Sequence, residues 1–176
     1  MKVFISGGCK NGKSYFAQSY ARELAQDSGT PLYYIATMIP HDEEDRARIR
    51  RHIEDRDGWG FETIEQGTDI TEVLDKASAK GTFLLDSVTA LLANEMFDGS
   101  GIRTDAYVRL AEELEYIADK VANIVFVSDY IYADADNYDE TSEVYRRGLG
   151  YIDRALAKLC DRVVEVAYGR VLDYKR

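Results

Sequence analysis

Cysteine, proline, long apolar runs and positive charge are all scarce in this chain, and each scarcity closes off a class of protein. There are two cysteines, Cys9 and Cys160, and no Cys/His cluster at zinc-ligating spacing. Two cysteines cannot build the disulfide framework of a small secreted domain, so two free thiols in a reducing compartment are expected. The two prolines, Pro31 and Pro40, are accompanied by no Ser/Gly-rich linker and no internal repeat, and residues 1–176 read as a single domain. No segment approaches the ~20 apolar residues needed to cross a bilayer. The opening run Met1–Ile5 is too short for a signal peptide, which points to a cytoplasmic protein. The 22 Lys and Arg against 32 Asp and Glu give a formal charge of −10. That balance opposes non-specific binding of nucleic acid, so no nucleic-acid partner is expected. A small anionic ligand is still compatible, because a local cationic site can sit in an acidic whole.

What is present is a core-forming chain, 45% hydrophobic, in which short apolar runs alternate with helical periods. Val3-Phe4-Ile5, Leu32–Ile35, Thr82–Leu85, Ile124–Val127 and Val163–Val166 read as strands, most of them buried on both faces. Apolar residues recur at helical spacing through Phe16, Ala17, Tyr20, Ala21 and Leu24. They do so again from Tyr107 to Val121 and from Val144 to Leu159. The alternation predicts an α/β fold: a mostly parallel central sheet flanked by helices, closed by a short antiparallel C-terminal strand.

The first strand runs into Gly7-x-x-x-x-Gly12-Lys13-Ser14, the spacing of a phosphate loop, and a helical pattern follows directly. Glycines let backbone N–H groups turn inward around phosphate oxygens. Lys13 adds a mobile cation with a catalytic role, the Ser14 hydroxyl can ligate Mg2+, and the helix amino terminus adds partial positive charge. A second acid, Asp86, ends the apolar run "TFLLD". A carboxylate there either orients the Mg2+ shell or caps the next helix.

The segment Asp42–Arg56 has helical composition but few apolar residues: Ala47, Ile49 and Ile53. Arg48, His52 and Arg56 are four apart, and because four residues drift only ~40° around a helix, they share a face. An imidazole beside guanidiniums that attract phosphate could capture a phosphoryl or nucleotidyl group. The same pattern is also that of a charged surface helix with pairs such as Glu44–Arg48.

The motifs "GGCKNGKS", "YIATM", "RIRRHIEDR", "FETIE" and "LLDSVTALLANEMF", in this order, resemble the bifunctional adenosylcobinamide kinase / adenosylcobinamide-phosphate guanylyltransferases. The resemblance covers nearly the whole chain and is strongest over residues 3–97. It implies phosphorylation of the aminopropanol hydroxyl of a corrinoid, adenosylcobinamide, by ATP or GTP. Transfer of GMP from GTP through a guanylylated histidine, here His52, would follow. It maps nucleotide contacts onto Gly7, Gly8, Cys9, Lys10, Asn11, Gly12, Lys13 and Ser14, and onto Ala36, Thr37 and Met38. Ile53, Glu54, Asp55, Arg56, Glu65 and Asp86 complete the set. Mg2+ held by Ser14 and Asp86, and a homotrimer, are further implications.

The chain departs from the family pattern late. Ser128-Asp129 stands where an Asn-Glu pair is common, and the loop that follows carries Tyr130, Tyr132 and Tyr138 and no proline. Gly150-Tyr151-Ile152-Asp153 replaces a Gly-Arg-x-Asn run. These changes bear on the acceptor substrate more than on the nucleotide chemistry, and the tyrosines read as packing residues. Gly148 and Gly150, in a helical pattern, each cost ~1 kcal/mol against alanine and mark a kink or the close approach of another group. No Asn-Lys-x-Asp guanine-reading motif occurs, so guanine preference rests on the resemblance. The residues leave open a kinase without the transferase half, and a non-catalytic nucleotide-binding regulator.

Overall fold

A computed structural model describes residues 1–99, 101–132 and 136–175, and their side chains except those of Arg48 and Asp55. Within the tyrosine-bearing loop, residues 133–135 thus lie outside the description, as do the expected pairs of Arg48. Seven strands form one sheet in the order β3-β2-β4-β5-β1-β6-β7. β1 (Lys2–Gly7), β2 (Leu32–Ala36), β3 (Glu62–Glu65), β4 (Thr82–Asp86), β5 (Asn123–Asp129) and β6 (Arg162–Ala167) run parallel to one another. β7 (Arg170–Lys175) pairs antiparallel with β6. Its two-residue turn, Tyr168-Gly169, takes φ of 52° and 71°, the left-handed pair that a tight hairpin requires.

The sheet is covered on both faces, which explains why its strands read as continuous apolar runs. Val3, Ile5, Leu84, Val125 and Val127 point to one side, where α1 (Lys13–Ser28) lays down Ala17, Ala21 and Ala25. The intervening residues Phe4, Phe83, Leu85, Ile124 and Phe126 point to the other. There they meet α4 (Val88–Met96), α5 (Ala106–Lys120) and α6 (Glu140–Leu159). α2 (Glu43–Asp55) follows β2, and a 3-10 turn (Ile70–Glu72) leads into the short α3 (Val73–Lys76).

α2 has little core to hold it, so its ends and charges carry more of its stability. Asp42 caps it by accepting from Asp45 N at 2.8 Å, and Glu43, Glu44 and Asp45 set negative charge against the amino-terminal dipole. After it, Trp59 packs edge-on to Tyr15 at 5.6 Å and lies under Arg22 at 5.4 Å, tying the segment to α1.

β3 is a strand that the apolar pattern did not suggest. In "ETIE" only Ile64 is buried, so the run lacks the apolar density of an interior strand. Its place at the sheet edge explains why charge is tolerated there. Gly148 and Gly150 lie inside an unbroken α6. A Cβ on Gly148 would meet the Tyr107 side chain at 3.0 Å, so this glycine admits the close approach of α5.

Candidate functional site

Strand register gathers the chemistry at one edge of the sheet. Ala36 pairs with Glu65 on one side and Asp86 on the other, and Gly7 pairs with Asp129. The carboxyl ends of β3, β2, β4, β5 and β1 therefore present Glu65, Ala36, Asp86, Asp129 and the start of the phosphate loop along a common rim. In open parallel sheets this is where ligands bind.

The loop has the backbone that phosphate capture needs. Lys10 and Gly12 take left-handed φ of 59° and 86°. Gly12 precedes α1 with no side-chain cap on the helix's first N–H groups, leaving them for an anion. Gly7 has no room for a side chain: a Cβ there would sit 2.5 Å from the Val166 carbonyl oxygen. Lys13 is buried, with its Nζ 3.4 Å from the Gly8 carbonyl oxygen and in an ion pair with Asp129. Cys9 and Lys10 are exposed.

A cavity of about 490 Å³ opens beside the loop. Its walls include Lys13, Ser14, Ala36, Met38, His52, Arg56, Glu65 and Asp86. Of the residues singled out from sequence, these eight are brought together. Thr37 is not among them: it is fully buried, its hydroxyl donating to Ser87 O at 2.8 Å and accepting from Ser87 N at 2.7 Å. It ties β2 to the end of β4 instead. Ile53 and Glu54 are exposed and do not line the cavity.

Asp86 is free for the cavity because Ser87, not Asp86, caps α4, accepting from Ala90 N at 3.2 Å. One carboxylate oxygen accepts from the Tyr34 hydroxyl at 3.0 Å. Ser14 and Asp86 supply the hard oxygen donors that Mg2+ prefers. Among the described residues no group of three or more His, Cys, Asp or Glu could hold a metal.

α2 turns one face to the cavity with Arg46, Ile49, Arg50, His52 and Arg56. Arg46 and Arg50 bond Glu43 at 3.1 and 2.8 Å; Arg50 first and then Arg46 hold the Glu43 carboxyl below its ordinary range. Arg56 is buried, its guanidinium 4.0 Å above the Tyr34 ring, donating to His52 O at 2.7 Å and Thr63 Oγ1 at 3.2 Å.

Sequence reasoning overlooked several residues here. Asn94 donates to the carbonyls of Thr37 and Gly67, both at 2.8 Å, and so fixes two loops of the rim. Asp129 was visible only as a departure from a family pattern, since nothing local in the sequence links it to Lys13. The tyrosines of the late loop have intramolecular partners: Tyr132 donates to Asp153 Oδ2 at 2.7 Å, and Arg146 stacks on Tyr138 at 4.4 Å.

A phosphate loop, a strand-end acid and a two-faced parallel sheet define a P-loop nucleotide-binding protein. Solved structures agree on the fold. The structure titled "ATPase Domain of G40P" superposes with a TM-score of 0.55 at 14% identity, over 93% of this chain and 68% of that one. A KaiC-like protein, PH0186, from the hyperthermophilic archaeon Pyrococcus horikoshii OT3 gives 0.53 at 12% identity, over 99% and 78%. No curated protein is significantly similar in sequence. The family model described as cobinamide kinase / cobinamide phosphate guanyltransferase matches residues 3–174, and the chain belongs to that family. The family is enzymatic, joining a kinase and a guanylyltransferase activity in cobalamin biosynthesis, so nucleotide and cobinamide are its substrates. Among the described residues no helix is long and apolar enough to cross a membrane.

Proposed function

We propose that this chain phosphorylates the aminopropanol hydroxyl of adenosylcobinamide and then transfers GMP to the new phosphate, with His52 as the covalent carrier. The observation that carries the second half is that His52 lines the same cavity as Lys13 and Ser14. A triphosphate seated on the loop would lie within that cavity. An imidazole nitrogen attacks the α-phosphorus of GTP, the bond to the bridging oxygen breaks, and pyrophosphate leaves with the electron pair. The nitrogen–phosphorus bond is then cleaved by a phosphate oxygen of the acceptor, which takes GMP and restores the imidazole. Lys13, Arg46 and Arg50 line the cavity as positive charge for the transferring group.

In the kinase half no covalent intermediate is needed, and positioning and charge neutralisation suffice. The nucleotide is held by Gly7–Ser14, with Ala36, Met38, Arg56, Glu65 and Asp86 around it, and ATP or GTP donates the phosphoryl group. Mg2+ ligated by Ser14 and Asp86 supplies charge neutralisation at the phosphates when bound. We infer that residues 1–176 act as one cytoplasmic domain and, by family likeness, assemble as a homotrimer.

The test is incubation with [α-32P]GTP. Wild-type protein is expected to take up acid-labile, base-stable label, discharged by adenosylcobinamide phosphate, and His52→Ala to take up none. Label retained in that variant would remove His52 from the reaction. Cobinamide phosphorylation without any labelling would leave a kinase alone.

A further inference from the structure

The ion pair between Lys13 and Asp129 joins the mobile cation of the phosphate loop to an acid with no part in the two transfer steps proposed above. Its location follows from topology. β5 lies between β4 and β1 in the sheet, so its carboxyl end sits between Asp86 and the phosphate loop. Asp129 is the last residue of β5, paired in register with Gly7 at the end of β1. Its side chain is about a quarter exposed and lines the cavity shared by Lys13, Ser14, Asp86 and His52.

The backbone that carries it is fixed. Asp129 N donates to Thr89 Oγ1 at 2.8 Å, and the Thr89 carbonyl accepts from the Tyr145 hydroxyl at 2.9 Å. Asp129 O accepts from Ile131 N at 2.9 Å. The carboxylate is thus held by its main chain, while its described side-chain partner is a lysine that must turn to phosphate when a triphosphate arrives. Once Lys13 moves, Asp129 is an acid in the cavity with no other cation paired to it among the described residues. Asp86 differs, since Tyr34 retains one of its oxygens. Glu65 lies on the edge strand, with β2 and β4 between it and β5.

We propose that Asp129 is the proton acceptor for the alcohol in the phosphorylation step, and that its pairing with Lys13 holds both groups in place until nucleotide binds. The proposal rests on the kinase half of the function above. The alcohol oxygen forms a bond to the γ-phosphorus as the bond to the β,γ-bridging oxygen breaks. The nucleoside diphosphate leaves with that electron pair, and the hydroxyl proton passes to the Asp129 carboxylate, which later returns it to solvent. A well-placed general base contributes about 10²–10⁴-fold.

The experiment measures phosphorylation of adenosylcobinamide by wild-type protein, Asp129→Asn and Asp129→Ala, with nucleotide affinity followed in parallel. Both variants are expected to lose about 100-fold or more in kcat. They should bind nucleotide at least as tightly as wild type, because Lys13 no longer has a carboxylate to leave. Formate, a carboxylate small enough for the vacated space, is expected to restore part of the activity of Asp129→Ala and none to His52→Ala in the labelling assay. A kcat within threefold of wild type in Asp129→Asn overturns the proposal. So does a fall in kcat that tracks lost nucleotide binding and is not rescued by formate, which would make Asp129 a structural counterion. A wild-type protein that binds nucleotide yet phosphorylates no cobinamide overturns the kinase reading, and this proposal with it.

Discussion

Arg56 closes α2 with one guanidinium serving three partners: the Tyr34 ring, the His52 carbonyl and the Thr63 hydroxyl. A lysine could supply the charge but not the planar fork or the stacking. Arg56→Ala is expected to lower stability by about 2–3 kcal/mol, since two partly buried bonds to a charged group and its stacking on Tyr34 are lost together. Arg56→Lys should recover only a small part of it. Urea unfolding checks the first effect, and GTP labelling should fall with it, because the residue fixes the end of the helix that carries His52.

Asp153 offers a second test at the scale of a single group. Burial raises its carboxyl from the ordinary 3.8 to about 6, against the opposing influence of the Tyr132 and Ser128 hydroxyls. Its Oδ1 and the Ser128 Oγ, though near enough to influence one another, make no hydrogen bond of good geometry. A carboxyl whose folded pKa is raised stabilises the fold fully below 3.8 and loses that contribution as pH rises through about 6. The loss amounts to about 3 kcal/mol. Melting temperatures of wild type and Asp153→Asn between pH 4 and 8 should therefore diverge, the variant gaining relative to wild type as pH rises and levelling above about pH 7. A constant gap would mean that Asp153 does not titrate in this range.

Among the elements, α6 separates two glycines that look alike in sequence. At Gly148 a Cβ would press on Tyr107 at 3.0 Å, whereas at Gly150 it would meet Tyr132 at an ordinary 3.7 Å. Alanine gains ~1 kcal/mol of helix propensity at either position, but overpacking costs about 1–3 kcal/mol where neighbours cannot yield. Gly148→Ala is expected to destabilise by about 1 kcal/mol and Gly150→Ala to stabilise by a similar amount. Opposite shifts of the urea midpoint would confirm the pair; equal shifts would show that α5 and α6 part easily. Element legibility follows the same division. β1, β2, β4 and β5 were readable because burial on both faces forces apolar runs. β3 was not, because an edge strand with a single buried residue carries almost no periodic signal. α2 was readable from composition and spacing, yet its pairing of Arg46 and Arg50 with Glu43 comes from rotamer choice.

Taken as a whole, the molecule places its two thiols in opposite environments. Cys9 is exposed in the phosphate loop, while Cys160 is buried where α6 meets β6. Burial, with Asp161 adding to it, pushes the Cys160 thiol up to about 12. A disulfide-forming reagent should therefore modify Cys9 at once and Cys160 only at the rate of global opening. Nucleotide should slow the reaction of Cys9 by covering the loop. Fast modification of both thiols in the native protein would contradict the packing of α6 on the sheet.

By itself the sequence determined the phosphate loop, the strand-end acid, the histidine helix and the mostly parallel character of a two-faced sheet. Each of these is written in contiguous residues, as a spacing or as an apolar run that burial demands. The partner of Lys13 was decided only by the tertiary structure, as was the burial of Thr37 behind its Ser87 bonds and the choice of Ser87 as the cap that leaves Asp86 free. Such facts depend on which strands become neighbours and in what register. Asp129 is 116 positions from Lys13 along the chain, and the insertion of β5 between β4 and β1 is what brings the carboxylate to the lysine.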